Sequence, residues 1–198
     1  MISHLRRKAK GGRRKAEFPI SPLSLLLYSF LLLTALLAGS FDATLGIGGA
    51  APFGNLEFNH SAGIAGSVVL GCNRGPSRLE FTSDLIRLPG NQQPDYFMSD
   101  YRIGLAYHYA LVNKLDWKLR AGAGVDLNNL TRQLGSASER GSVLGPTIAL
   151  TYVRSFGHPQ FSFQLFGSEL LEFAPAGGGS SVTPATLVGF KIGAGYEF

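Results

Sequence analysis

The sequence has one cysteine, Cys72, in 198 residues. A lone thiol excludes an internal disulfide and any cysteine-built metal cluster. Position 40 is Ser40, so Leu37-Ala38-Gly39 lacks the thiol that would make it a lipoprotein box. Beyond residue 40 there is no helical period of useful length, no internal repeat beyond a short strand rhythm, and no long unbroken apolar run. The surplus of positive charge is also missing there. The whole chain carries +5, but residues 1–40 hold seven of the eighteen basic groups and one of the thirteen acids, leaving eleven against twelve. The basic isoelectric point therefore belongs to one end of the chain and gives no reason to expect nucleic acid as a partner.

What is present begins with that basic end. Arg6, Arg7, Lys8, Lys10, Arg13, Arg14 and Lys15 precede an apolar run from Leu23 to Leu37, and Ala38-Gly39-Ser40 follows. A charged segment, a short apolar segment and small residues in this order predict a cleaved signal peptide over 1–40, cut after Ser40. Ile20 to Ala38 is just long enough to span a bilayer, but Pro22 and the small-residue end favour removal.

The opposite end reads Lys191-Ile192-Gly193-Ala194-Gly195-Tyr196-Glu197-Phe198. Apolar or aromatic residues alternate with charge or glycine, the period of a strand with two different faces. The same alternation recurs upstream, except at Val68-Val69-Leu70, which is apolar on both faces, and predicts eight strands, near 43–51, 62–73, 78–88, 100–111, 116–128, 142–155, 160–172 and 184–198. Connections after the second, fourth and sixth are short. Those after the first, third, fifth and seventh are expected to be long and rich in Gly, Pro, Asn and Ser.

The sense of the alternation is informative. Trp117, Leu119, Ala121, Ala123, Val125 and Leu127 share one face of the fifth strand, opposite Lys118, Arg120, Gly122, Gly124 and Asp126. Tyr101, Ile103, Leu105, Tyr107 and Tyr109 oppose Arg102, Gly104, Ala106 and His108. Leu79, Phe81 and Leu85 oppose Glu80, Thr82 and Asp84, with Ser83 and Arg87 as exceptions on the apolar side. A small barrel has a narrow interior. Bulky apolar side chains outside and glycine or charge inside suit lipid on the outside. Phe41, Phe81, Tyr107, Tyr109, Trp117, Tyr152, Phe161, Phe163, Tyr196 and Phe198 fall at one level, as an interfacial girdle does; Tyr96, Phe97, Tyr101 and Phe173 make a thinner one at the other end.

The last eight residues resemble the C-terminal assembly signal of bacterial outer-membrane barrels, with Lys191, Gly193, Tyr196 and Phe198 at its specified positions. With the strand rhythm, residues 41–198 resemble the small outer-membrane β-barrel family of the OmpX and OmpA-domain type. The resemblance implies an all-β, eight-stranded antiparallel up-and-down transmembrane barrel in a Gram-negative outer membrane. It also implies outer-membrane lipid and lipopolysaccharide around the barrel and insertion by the barrel assembly machinery; a monomer is expected, and, with the sequence stopping at Phe198, no appended peptidoglycan-binding domain is expected.

Candidate chemistry is sparse. Arg102, Lys118, Arg120 and Lys191 are expected to meet Glu80, Asp84, Asp126 and Glu197 in the lumen as a charge network that fills it. No cofactor is implied. His158 falls in a short turn and His108 faces the lumen. His60, in or beside the first long loop, is the residue a lipid-modifying enzyme would use, with Ser61 or with Ser83 and Asp84. Neighbours along a strand point to opposite faces, which disfavours a His60–Ser61 dyad. Glu57-x-x-His60 is too common a spacing to read as a metal site. Gly46, Gly48 and Gly49 precede no helix and are not a nucleotide loop. Cys72 is an apolar residue near the periplasmic rim. Three readings follow: a non-enzymatic structural or surface-interaction protein, which we expect; a narrow porin for small solutes; and a lipid A-modifying enzyme.

Overall fold

The computed structural model describes residues 39–54, 57, 59–91, 96–170 and 185–198. Nearly all of the leader expected over 1–40 lies outside the described residues; Ser40 already belongs to the first strand.

Eight strands follow in chain order: β1 (Ser40–Gly54), β2 (Gly63–Arg74), β3 (Ser77–Pro89), β4 (Tyr96–Asn113), β5 (Trp117–Leu134), β6 (Ala137–Ser155), β7 (Pro159–Leu170) and β8 (Ala185–Glu197). Each pairs antiparallel with its neighbours in sequence, and β8 closes on β1 over the register Asp42↔Glu197 to Gly54↔Ala185. Closure gives every interior backbone group a partner, which a chain in hydrocarbon requires.

The register fixes the barrel's size. A path across the strands from Asp42 runs through Gly71, Glu80, Ala106, Gly124, Thr147, Ser168 and Leu187 and returns to β1 at Pro52, ten residues up. With ~3.3 Å per residue and ~4.8 Å between strands, that stagger tilts the strands by about 41° and sets a radius of about 8 Å. Such an interior is about wide enough for side chains to fill.

Outside, Ile47 is 75%, Ile64 72% and Ile148 66% exposed. Leu45, Leu85, Tyr107, Val125, Leu165 and Ile192 are also exposed, while their strand neighbours are buried or half-buried. Exposure of that much aliphatic surface all round a closed sheet is the belt that lipid covers. Ser83, an expected flaw in this face, donates to the Tyr101 hydroxyl at 3.3 Å. Arg87, the other, lies 4.2 Å from the Phe97 ring centroid. Both exceptions thus have aromatic partners on the same surface.

One expected loop is not a loop. The connection from β5 to β6 was expected to run long, but pairing continues to Leu134↔Ala137 and only Gly135-Ser136 turn the chain. Gly135 adopts φ 55°, a left-handed conformation that costs glycine nothing. The stretches 129–133 and 138–142 carry few apolar residues. Above the hydrocarbon a strand needs a paired partner and not an apolar face, so β5 and β6 extend as a polar hairpin. β4 likewise starts at Tyr96 and not near 100. The expected end of the seventh strand, and Phe173 with it, lies outside the described residues.

Candidate functional site in the barrel interior

Strand parity decides which side chains enter the lumen. On β3 the even positions point in: Arg78, Glu80, Asp84, Ile86 and Leu88 are all buried. On β4 Met98, Asp100, Arg102 and His108 do so, on β5 Arg120, Asp126, Asn128 and Leu130, and on β8 Leu187 and Lys191. The interior sorts these groups into three levels.

At the periplasmic level, Arg78 Nε donates to Glu80 Oε2 at 3.0 Å, and its Nη1 bonds Asp42 Oδ2. Asn73 Nδ2 donates to the same Asp42 oxygen at 2.7 Å, and Arg120 Nη2 donates to Asn73 Oδ1 at 3.0 Å. Glu80 also accepts from Gln164 Nε2 at 3.1 Å and lies 3.5 Å from His108 Nε2. Glycine makes the room: a Cβ at Gly71 would come within 2.3 Å of the Arg78 guanidinium, and one at Gly122 within 2.4 Å of the His108 ring.

At the middle level, Arg102 Nε donates to Asp84 Oδ2 at 2.9 Å, its Nη2 bonds the same oxygen, and its Nη1 lies 3.3 Å from Asp126 Oδ2. Lys191 Nζ donates to Asp84 Oδ2 at 2.7 Å, and Ser168 Oγ to Asp126 Oδ2 at 3.0 Å. One carboxylate therefore joins strands β3, β4 and β8. The Phe166 ring roofs this layer, its centroid 4.6 Å from the Arg102 guanidinium carbon and 4.8 Å from Lys191 Nζ, in reach of a cation–π attraction.

The outer level is apolar. Ile86, Leu88, Met98, Leu130, Val143, Phe166, Leu170 and Leu187 form one buried cluster with Ala50, Ala65 and Ala185. It lies in the lumen's outer half. Asp100 enters among these residues, beside Ile86 and Leu130 in register, and is fully buried. Among the described residues, small cavities lie below it, of about 30 Å³ beside Thr44, Arg78 and Gln164 and about 20 Å³ beside Asp84, Arg102 and Asp126. Each has room for one or two waters.

The expected eight-membered charge network therefore divides. Glu80, Asp84, Arg102, Arg120, Asp126 and Lys191 are buried in the two lower levels. Arg120 makes its bond there to the neutral Asn73. Lys118 and Glu197 stand apart from it: both are half-buried near the periplasmic end, and Glu197 accepts from Ser40 Oγ at 2.7 Å. Neither makes an ion pair among the described residues. They face inward, but so near the rim that water reaches them.

Sequence reasoning missed Asp42, Asn73, Asp100 and Gln164, and it missed Arg78 as a partner of Glu80. It also missed the apolar level. The parity that placed Glu80 and Asp84 inside continues to Ile86 and Leu88, and that of Arg102 extends back to Met98. The signal was there, cut short where the strands were taken to end.

The residues of the expected assembly signal separate onto two faces. Lys191 and Gly193 point inward, Gly193 where a Cβ would lie 2.6 Å from Thr44 and 2.7 Å from Ser162. Tyr196 and Phe198 are exposed, with ring centroids 5.0 Å apart, and Phe198 N donates to Phe41 O at 2.8 Å. Deleting Phe198 removes one ring from an aromatic band that also holds Phe41 and the Trp117–Tyr152 pair. Stability should change little, whereas outer-membrane abundance should fall and periplasmic precursor accumulate. Cell fractionation with immunoblotting checks this, and unchanged abundance would refute the assembly role.

Among the described residues, the histidines do not converge with a nucleophile. His60 is buried at the outer rim, bridged to Gly90, with its ring 4.7 Å from that of Tyr96. Burial, then the charge of Arg132, pushes its imidazole below the usual range, against backbone acceptors at Pro89 and Leu88. Ser61 is exposed and bonds Pro89 O at 3.4 Å. Ser83 faces lipid while Asp84 sits in the lumen. His158 is an exposed turn residue whose Nδ1 lies 2.8 Å from Glu197 O, its ring stacked on Tyr196. Among the described residues no three His, Cys, Asp or Glu stand together as a metal site. Cys72 is buried near the periplasmic rim.

A closed eight-stranded sheet with apolar surface outside and ion pairs within defines a small β-barrel protein of the bacterial outer membrane. No protein-family model matches the sequence, and no curated protein does. Solved structures do match in fold. Neisserial surface protein A aligns at TM-score 0.57 and 16% identity, over 79% of this chain and 95% of that one. Ail, the attachment invasion locus protein of Yersinia pestis, aligns at 0.56 and 10%, over 81% and 99%. The N-terminal β-barrel domain of Pseudomonas aeruginosa OprF aligns at 0.50 and 12%, over 79% and 97%.

Proposed function

We propose that this is a non-enzymatic integral outer-membrane protein whose lumen is closed to solutes and whose work is done at its outer surface, in a structural or interaction role. The observation that carries the reading is the stacking of levels inside the barrel. An apolar cluster occupies the outer half, a layer held by Asp84 lies beneath it, and a layer centred on Glu80 lies beneath that. A solute would have to displace Leu88, Met98 and Leu187 and then part buried ion pairs. The two cavities beside Arg78 and beside Arg102 have room for a water or two each. The surface role draws support from the β5–β6 hairpin, which carries a polar outer face, and from two fold neighbours whose names describe a surface protein and an attachment protein. The apparatus that a lipid-modifying enzyme would need is dispersed, with His60, Ser83 and Asp84 on three different surfaces.

The test is conductance. Purified protein in a planar bilayer should give no steady current in symmetric salt. A large, stable conductance in the unmutated protein would overturn the closed lumen and promote the narrow porin. Lipid A mass spectra from cells with and without the protein should be identical, and a new acylation state would promote the enzyme.

A further inference from the structure

On four successive strands the outward file changes from apolar to polar towards the loops. The apolar belt runs out to Leu85 on β3, Tyr101 on β4, Leu127 on β5 and Leu144 on β6, and Phe97, which carries the Arg87 guanidinium, follows Tyr101 on the outward file of β4. Beyond them stand Arg87, Ser99, then Asn129 and Thr131, then Ser142 and Arg140. Register places Arg87↔Ser99, Ser99↔Thr131 and Thr131↔Arg140 side by side, so two arginines bracket two hydroxyls in one row across the sheet. All four point to the outside of the barrel. Arg87 and Arg140 are exposed, and the Arg87 guanidinium is held over the Phe97 ring. No acidic residue shares these outward files among the described residues, from Leu85 to Pro89, Phe97 to Tyr101, Leu127 to Gln133 and Ser138 to Leu144.

We infer that this row binds the phosphates of a phosphorylated glycolipid in the outer leaflet. Depth selects the ligand. Rows in a tilted sheet climb, and with three strand spacings at ~4.8 Å and about 41° of tilt, Arg140 lies about 9 Å above Arg87 and about 11 Å around the barrel. Arg87 is level with Tyr101, Asn129 and Leu144, at the edge of the hydrocarbon belt. Arg140 stands well out in the headgroup region. A phospholipid presents its phosphate in one thin layer and meets Arg87 alone. A lipid with a phosphorylated saccharide head offers anionic groups at both depths, with sugar hydroxyls between them for Ser99, Thr131 and Asn129. Arginine forks suit phosphate oxygens. The Phe97 stack fixes the Arg87 guanidinium and lowers the cost of ordering it.

The full-length protein, purified in detergent from outer membranes, is titrated with three probes: a bisphosphorylated lipid A glycolipid, the same glycolipid dephosphorylated, and phosphatidylglycerol vesicles. The expected result is at least about tenfold tighter binding to the phosphorylated glycolipid than to either other probe. The double variant Arg87→Gln, Arg140→Gln should lose that ratio while keeping the gel mobility of the unheated, folded form. Arg140→Gln alone lies on an exposed hairpin, so it keeps the fold even if the double variant does not, and it should lose part of the ratio. A ratio near one in the unmutated protein, an undiminished ratio in the variants, or equal binding to phosphatidylglycerol would each overturn the site. None of these outcomes bears on conductance, so the site and the closed lumen stand or fall separately.

Discussion

Arg102→Ala is expected to lower the unfolding free energy by about 3–5 kcal/mol, the scale for removing one partner of a buried ion pair. Arg102 is 2% exposed and meets two carboxylates, Asp84 and Asp126. Its loss leaves Asp84 with Lys191 alone and Asp126 with the Ser168 hydroxyl. The cost is in desolvation: carboxylates that cannot reach water are stable only while a cation stands against them. Arg120→Ala should cost less, about 1–2 kcal/mol, since the group it abandons is the neutral Asn73 oxygen. Equilibrium urea unfolding in lipid vesicles, with both variants in parallel, measures the difference. Equal losses would mean that the middle level is not the electrostatic centre of the barrel.

The second large effect belongs to the apolar level. Leu187→Ala should destabilise by about 2–5 kcal/mol, because Leu187 is fully buried among Leu88, Met98 and Leu170 and its truncation leaves a cavity in a closed space. The adjacent Val188→Ala should cost about 1 kcal/mol or less, since Val188 is 44% exposed on the belt and lipid chains close over the loss. The contrast between consecutive residues is the diagnostic. Similar losses would place both side chains in equivalent surroundings and remove the case for an apolar seal. Alanine at Leu88 or Met98 should behave like alanine at Leu187, for the same reason.

The strand ends explain most of what was hard to read. Apolar–polar alternation made the lipid belt legible, because a side chain that meets lipid is favoured to be apolar wherever its neighbours along the chain lie. The hairpin beyond Leu127 and Leu144 carries no such mark. Asn129, Thr131, Ser138 and Ser142 can sit in a strand or in a loop, and only pairing through Leu134↔Ala137 distinguishes the two. Asp42 was passed over because it fell one residue outside the expected first strand, and Asp100 because it sat at the expected start of the fourth.

By itself the sequence determined the local properties: the two-residue period, the lipid-facing side of each strand, the parity that sends Glu80, Asp84, Arg102, Arg120, Asp126 and Lys191 inward, and hence the barrel class. Those follow from covalent geometry and from the surroundings of single residues. The tertiary structure decided the partners. Lys191 reaches Asp84 across 107 positions of chain and Arg78 reaches Asp42 across 36, and no spacing encodes either meeting. They depend on a ten-residue stagger summed over eight strand pairs, a property of the closed sheet as a whole. A change of register by two residues at any one pair keeps every side chain on its own face, yet it would set different charges against each other and move the apolar cluster relative to the layers beneath.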